Sequence, residues 1–229
     1  MFAVIFTVEP KPERFDDYLD LAKFLKPKLE AIDGFIDNDR FASKRHRGRV
    51  LSLSTWRDEK SVIRWRTQGE HHGVQEKGRF EIFADYHLSV GEIMQDSDPP
   101  KGLRVVEQGF DTTETGNATV ATITDLEPTQ DGVLEAADRL PAQLALDPGA
   151  DGFIDAEAFE SIYHPGKLLL LAFWRNVDAA SRWRPARPAG AKSMRHRHVR
   201  IIRDYGMFDR REAPQYYREV THPHRAAAE

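Results

Sequence analysis

A tryptophan, an arginine and two histidines lie close together in RWRTQGEHH, residues 64–72. Imidazole titrates near neutral pH when unperturbed, so His71 or His72 can act as a general base. Helical spacing places both histidines one to two turns after Trp65, whose indole can stack on a flat aromatic molecule. Arg66 can donate a hydrogen bond to an oxyanion that develops on that molecule. The alternative is that both histidines are solvated helix residues.

The Trp-Arg pattern around these residues occurs twice. STWRDEKSVIRWR (54–66) is repeated as AFWRNVDAASRWR (172–184), and the two copies contain all four tryptophans of the chain. Shifted by 118 residues, the sequence matches itself over about 80 residues, including a DGFID motif in each copy. A match of this length in one register predicts a duplicated structural unit.

The two copies differ in their titrating residues. The positions that match His71 and His72 are Ala189 and Gly190, in a segment where two prolines end any regular helix. Because the tryptophans are common to both copies, the repeated Trp-Arg corner is predicted to be structural. Any chemistry is predicted to belong to the first copy.

Two further residues of the first copy have alternative interpretations. Arg57 is expected to anchor the turn from strand to helix through Asp58 or Asp85. Tyr86 begins the last strand, and with one inserted residue it matches Tyr205. Because side chains alternate along a strand, Tyr86 or its neighbour faces the core between the sheets. The repeat favours Tyr86 as a core residue, and a substrate pocket is the alternative.

Each copy shows the element order βαββαβ. FAVIFTV predicts a strand, and apolar residues at three- and four-residue spacing from Phe15 to Leu29 predict a helix. Two alternating runs joined by KRHRG predict a hairpin, residues 58 to about 76 predict a second helix with Asp58 as N-cap, and ADYHLSVGEIM predicts a closing strand. This is the ferredoxin-like unit, in which one sheet face needs a partner. We therefore predict an α+β fold in which two fused ferredoxin-like units pack sheet to sheet as an intrachain dimeric α+β barrel.

The boundaries follow from the repeat. The first unit is predicted to span residues 1–95 and the second, degenerate unit residues 118–209. Residues 96–117 form a linker that is rich in Pro and Gly at its start and contains LRVVEQGFD, a candidate for an extra strand. Residues 210–229 are predicted to be an arm or a disordered tail.

Composition excludes several classes of protein. The net charge of −4 gives no general attraction to nucleic acid, and there is no apolar run of 18 residues to span a membrane. The absence of cysteine excludes disulfides and thiolate chemistry and is typical of a cytoplasmic protein. No metal is expected, because adjacent histidines on a helix diverge by about 100°.

The combination of motifs resembles the antibiotic biosynthesis monooxygenase (ABM) family. It comprises DGF at the second strand, a strand ending in Trp-Arg, a helix with W-R followed by EHH, and a last strand that begins with Asp-Tyr. The resemblance covers residues 2–94 closely and residues 118–208 less closely. Members of this family include oxygenases that convert phenolic polyketides to quinones without cofactor or metal.

The resemblance implies a pocket between the sheet and the helices of each unit. It further implies a cofactor-independent monooxygenase that oxidises a small phenolic or polycyclic aromatic substrate with O2. His71 or His72 would deprotonate the substrate, and Trp65, Arg66 and Tyr86 would bind it. O2 would then add to the substrate carbanion, and loss of water would give the quinone. Association of the fused barrel into a homodimer stays open.

The alternative is a non-catalytic small-molecule-binding or haem-binding protein of the same fold. In the haem-degrading relatives the axial histidine lies further along the second helix than His71, where this chain has Gln75. Their first-strand asparagine is also missing from VIFTV. Both departures count against haem degradation.

Overall fold

The computed structural model of the protein describes residues 1–129 and 139–220; residues 221–229, part of the predicted tail, lie outside the described residues. A π-helical turn at Gly78–Ile82 precedes the fourth strand. The strands and α-helices of the described residues are β1 (Phe2–Pro10), α1 (Phe15–Glu30), β2 (Phe35–Ser43), β3 (Val50–Trp56), α2 (Glu59–Thr67), α3 (Gly69–Lys77), β4 (Phe83–Asp96), β5 (Val120–Pro128), α4 (Leu140–Gln143), β6 (Phe153–Ser161), β7 (Leu168–Trp174), α5 (Val177–Arg182) and β8 (Ala191–Gly206).

These strands close into one antiparallel barrel. Their order is β1-β3-β2-β6-β7-β5-β8-β4, and β4 pairs again with β1. Around the closed ring, β4-β1-β3-β2 is the sheet of the first unit and β6-β7-β5-β8 is the sheet of the second. The two sheets join along a short seam between β2 and β6 and a long seam between β4 and β8. The predicted fold class, two fused ferredoxin-like units packed sheet to sheet, is confirmed.

Both faces of the sheets are covered. On β1, Ala3 and Ile5 face the barrel interior and pack with residues of the second sheet such as Ile123. Val4 and Phe6, which alternate with them, face outward and pack with residues of α1 and α2. The outer face of the first sheet, beneath these helices, is therefore the place where a pocket can form.

The tryptophans of the two Trp-Arg corners are buried in similar surroundings, but their hydrogen bonds go to different strands. Trp56 donates from Nε1 to Ser54 Oγ at 2.9 Å, and Trp174 donates from Nε1 to Thr122 Oγ1 at 2.9 Å. Each indole is buried and lies edge-on to the phenylalanine of the DGF motif in its unit. These tryptophans fill the junction between strand and helix rather than a pocket.

Arg57 anchors its turn through a carboxylate that the sequence analysis did not name. Its guanidinium makes two hydrogen bonds to Asp33, at 2.9 and 2.8 Å, and its Nε donates to Asp58 at 3.0 Å. The alternative partner Asp85 is wrong, because it lies on β4 opposite Glu9.

The second helix of the first unit is interrupted. Gln68 separates α2 from α3 with an extended backbone, φ −63° and ψ 127°. Its side-chain oxygen accepts from the His71 N–H at 2.6 Å, so it acts as the N-cap of a new helix. The prediction of one helix from Asp58 to about Glu76 is therefore wrong at this point. Asp58 does cap α2, through the Ser61 N–H.

The sequence match predicts that Tyr86 of β4 and Tyr205 of β8 occupy equivalent positions in the two units. The strand pairing shows that they do not. Val8 of β1 pairs with Tyr86, whereas Leu126, its counterpart on β5, pairs with Met194. Met194 is therefore the structural counterpart of Tyr86. Tyr205 lies further along β8, where this strand has passed β5 and pairs with β4. Strand pairing along the long seam has overridden the sequence register.

The extra strand suggested in LRVVEQGFD does not form. Residues 103–112 are an irregular connection without ladder pairing. A closed barrel offers no free edge to which another strand could be added. The connection is held instead by side chains: the Gln108 N–H donates to the buried carboxylate of Glu92, and Phe110 packs edge-on against Phe2 at 5.4 Å.

We expect Gly34→Ala to destabilise the fold strongly. Gly34 has φ +89°, and a Cβ there would overlap the Ser61 hydroxyl and lie 2.8 Å from its Cβ. A left-handed non-glycine residue costs about 1–2 kcal/mol and overpacking about 1–3 kcal/mol, so the free energy of unfolding should fall by about 2–5 kcal/mol in urea denaturation.

Gly48→Ala is the matched control. Gly48 has φ +88°, but a Cβ there meets no atom within 4 Å. The free energy of unfolding should therefore fall only by the backbone contribution of about 1–2 kcal/mol. Equal losses in the two variants would mean that close packing of Gly34 on Ser61 contributes nothing.

Candidate active site

A cavity of about 210 Å³ lies between the outer face of the first sheet and α1, α2 and α3. Aliphatic and aromatic side chains form more than half of its lining, and polar or charged side chains form the rest. Its polar or titratable lining residues include Tyr18, Arg40, Arg66, His71, Gln75, Tyr86, Tyr205, Arg210, Gln215 and Tyr217.

Four of the five predicted site residues line this cavity, namely Trp65, Arg66, His71 and Tyr86. The fifth, His72, is exposed and does not line it. The adjacent histidines point in different directions because successive residues of a helix are rotated by about 100°. The structure therefore separates the two candidates for a base, and only His71 can meet a ligand in the cavity.

The break at Gln68 folds His71 back onto Trp65. The two rings stack at 3.9 Å between centroids with an angle of 15°. His71 Nδ1 donates to the Trp65 carbonyl oxygen at 2.8 Å. Since a carbonyl can only accept, Nδ1 carries the proton of the neutral ring and Nε2 is the acceptor. The face of the indole that the imidazole covers is thus closed to a ligand.

The environment of His71 keeps its imidazole neutral. Burial lowers the pKa of His71 to about 4; the bond to the Trp65 carbonyl opposes this shift, and the neighbouring His72 adds to it. Titration near neutrality, the expectation for an unperturbed imidazole, does not hold for His71, because burial lowers its pKa. Among the described residues nothing bonds to Nε2, which is available to a ligand in the cavity.

Two of the arginines that line the cavity, Arg66 and Arg210, both act on the Tyr205 hydroxyl. Burial raises the pKa of Tyr205 to about 12, and the nearby charges of Arg66 and Arg210 oppose this rise. The Arg66 Nε is buried without a hydrogen-bond partner in the described part of the chain. Arg210 donates only to neutral oxygens there, at 2.8 Å to both the Tyr86 hydroxyl and the Gln215 carbonyl. Such a pair can bind an anion or stabilise a developing oxyanion.

Tyr86 faces the helices and not the interior of the barrel. It packs in an outer cluster with Tyr18, and its hydroxyl accepts from Arg79 at 2.9 Å and from Arg210 at 2.8 Å. Its own O–H remains able to donate to a ligand. The assignment of Tyr86 to the barrel core is wrong, because alternation turns His87 inward instead.

The C-terminal segment, residues 207–220, forms part of the cavity wall. Gln215 donates to the Arg66 carbonyl and to Gln75 Oε1, each at 3.3 Å. Tyr217 stacks on His72 at 5.7 Å between ring centroids. These residues could not be predicted from periodicity, because the segment is irregular and has none. The only available signal was the density of aromatic and cationic residues in RREAPQYYR.

The corresponding face of the second unit is occupied by a packed core. Trp183 lies 5.9 Å from Trp174 between ring centroids and donates to the Leu144 carbonyl at 3.1 Å. His196 and His198 of β8 lie beside these rings, and their Nε2 atoms are 3.0 Å apart. Burial lowers the pKa of His196 to about 3 and of His198 to about 4. Their imidazoles are therefore neutral parts of that core.

Among residues 1–129 and 139–220, no three His, Asp or Glu side chains are arranged to hold a metal ion. The position discussed for a haem ligand is Gln75, whose side-chain oxygen accepts from Gln215 and Tyr217. An amide held in this way does not match the axial imidazole of the haem-degrading relatives. Over the same residues, no helix has the length and apolar character needed to cross a membrane.

The chain is similar in sequence to known proteins. The sequence profile of the family described as antibiotic biosynthesis monooxygenase matches residues 1–77. The jasmonate monooxygenase ABM of Pyricularia oryzae is 40% identical over 222 residues, which cover 95% of this chain and 98% of that protein.

Solved structures with a similar fold include the following two. An aldoxime dehydratase (OxdRE) in complex with butyraldoxime aligns over 88% of this chain and 79% of its own, with 14% identity and a TM-score of 0.53, which shows a shared fold alone. An anthrone oxidase-like protein aligns over 93% and 96%, with 13% identity and a TM-score of 0.37. On the near full-length match at 40% identity, this chain belongs to the antibiotic biosynthesis monooxygenase family.

Proposed function

We propose that this protein is a monooxygenase that oxidises a small, mainly apolar substrate with O2 in the cavity of the first unit, without a resident cofactor. Family membership supports the monooxygenase activity. The observation that carries the mechanism is His71, a buried neutral imidazole fixed through Nδ1, whose Nε2 is free to accept a proton in an apolar cavity. His71 is the base, Trp65 contacts the substrate from the cavity wall, and Arg66 stabilises the oxyanion.

The electron balance limits the substrates that can react without a cofactor. A CH2 group that is converted to C=O gives up four electrons, which reduce O2 to the new carbonyl oxygen and one water. His71 takes the first proton, the substrate carbanion passes one electron to O2, and recombination forms the C–O bond. Loss of water then gives the product. A substrate that gains only a hydroxyl group needs two further electrons from a separate reductant.

The lowered pKa of His71 decides how acidic the substrate must be. Relative to a simple phenol of pKa about 10, an imidazolium of pKa about 4 leaves a gap of about 6 pK units, or about 8 kcal/mol. An arginine beside the anion offsets about 1–3 of these units. The rest of the gap must be closed by a lower pKa of the substrate itself. This favours molecules with an extensively delocalised anion over simple phenols.

Two substrate classes meet these conditions in part. Hydroxyanthrones carry a CH2 group beside an extended aromatic system and match the phenolic or polycyclic class expected from the family. Jasmonate, the substrate named for the 40% identical relative, is smaller and carries a carboxylate. Oxygen uptake should therefore be compared for both, with and without an added reductant.

We expect His71→Gln to lower kcat/KM for oxygen uptake by about 10²–10⁴-fold, the usual contribution of a general base. The glutamine amide can still donate to the Trp65 carbonyl, so the local packing is kept. Oxygen-electrode rates with chelator-treated protein measure the effect. His72→Gln is the matched control. It removes the neighbouring imidazole, which lies outside the cavity, so the rate should change only a few-fold.

Unchanged uptake in His71→Gln would remove His71 from the mechanism. Binding of both substrates with no uptake, whether or not a reductant is present, would favour the non-catalytic binding protein. A Soret band on addition of haem would favour the haem-binding alternative.

The lowered pKa also predicts the pH profile. The neutral, reactive form of His71 should persist from pH 7 down to about pH 4, so the acidic limb of kcat/KM should lie near 4 and not near 6.5. NMR titration of the ring, assigned with His71→Gln, should give the same midpoint. A midpoint near 6.5 would mean that His71 is a solvated helix residue, which is the alternative interpretation of the sequence.

A further inference from the structure

The C-terminal segment lies after the last strand of the second unit, yet Arg210, Gln215 and Tyr217 line the cavity of the first unit. We propose that Arg210 is a specificity-determining residue that binds a carboxylate on the substrate. The proposal rests on the proposed function in one respect, since it takes this cavity to be the substrate site. It adds the chemical class of the substrate and the residue that selects it.

The segment is held firmly enough to position a side chain. Arg79 is 2% exposed and reaches the segment near both ends, donating to the Met207 carbonyl at 2.7 Å and to the Arg218 carbonyl at 3.3 Å. Arg218 in turn lies over the Phe80 ring at 4.5 Å. A buried guanidinium that bonds to backbone oxygens orders an otherwise irregular chain.

Arg210 is fixed in place but retains hydrogen-bonding capacity. It lies 5.7 Å from the centre of the Tyr205 ring and 5.2 Å from that of Tyr217. Of the five N–H groups of a guanidinium, it uses one on the Tyr86 hydroxyl and one on the Gln215 carbonyl within the described residues. The remaining N–H groups can present the planar fork that matches a carboxylate.

The charges that line the cavity favour an anionic ligand, since the lining holds one carboxylate, Glu59, against five cationic residues, Lys26, Arg40, Arg66, Arg203 and Arg210. Arg210 and Arg66 act together on Tyr205, and in the described part of the chain neither forms an ion pair with a carboxylate. Arginines elsewhere in this protein do so, as Arg57 does with Asp33. Partly buried charges without an opposite charge are costly, and an anionic group on the ligand would compensate this pair.

The test compares an acid with its neutral ester, jasmonate with methyl jasmonate, by isothermal calorimetry of the full chain without turnover. We expect wild-type protein to prefer the acid. Arg210→Gln should weaken binding of the acid by about 10–100-fold, the usual contribution of a charge-assisted hydrogen bond, and leave binding of the ester within a few-fold. Arg210→Lys keeps the charge but loses the planar fork, so its affinity for the acid should lie between those of wild-type protein and Arg210→Gln.

Arg211→Gln is the matched control. It makes the same change in net charge one residue away, at a side chain that is exposed and paired with Asp209. It should leave the preference for the acid intact. Thermal unfolding of each variant checks that the fold is retained.

Two results would overturn the proposal. One is wild-type protein that binds the acid no more tightly than the ester. The other is an Arg210→Gln variant that loses affinity for both equally, since Arg210 would then only hold the segment in place. Because oxygen uptake is measured separately, preference for the acid can be present in a protein that does not oxidise it, and the two proposals can fail independently.

Discussion

The long seam between β4 and β8 is the constraint on which the site depends. Its pairing runs from His87 to Asp96 on β4 and carries β8 beyond its own neighbour β5. Barrel closure therefore does more than bury the core between the two sheets. It delivers Tyr205, and after it the C-terminal segment, to the cavity of the first unit. Without this seam the cavity would lose part of its wall and Arg210.

A second, local constraint sets the state of His71, the proposed base. Gln68 caps α3 and turns the chain so that His71 meets Trp65 both by ring stacking and by a hydrogen bond. The same turn buries the imidazole, and burial lowers its pKa. Orientation and weak basicity thus have one origin. A histidine held this way is a well-placed acceptor that depends on neighbouring positive charge to remove a proton.

Much of the fold could be predicted from the sequence, because periodicity and the repeat report on burial. The Trp-Arg corners, the DGF turn and the βαββαβ order all follow from local patterns that occur twice. The site was only partly predictable. Trp65, Arg66, His71 and Tyr86 do meet at the cavity, but the break at Gln68 depends on one capping side chain in an otherwise helical sequence. Arg210 depends on a tertiary path with no sequence period.

The two cavity arginines would allow the proposed weak base and the proposed anionic substrate to belong to one mechanism. A carboxylate bound equally in ground and transition states improves binding without accelerating the chemical step. Acceleration requires a positive charge that gains a partner only as the oxyanion forms. Arg210, fixed by Tyr86 and the C-terminal segment, suits the first role. Arg66, next to Trp65 and with its Nε unpaired among the described residues, suits the second. If Arg66 also bound the carboxylate, the oxyanion would lose its stabilisation and His71 would be too weak a base.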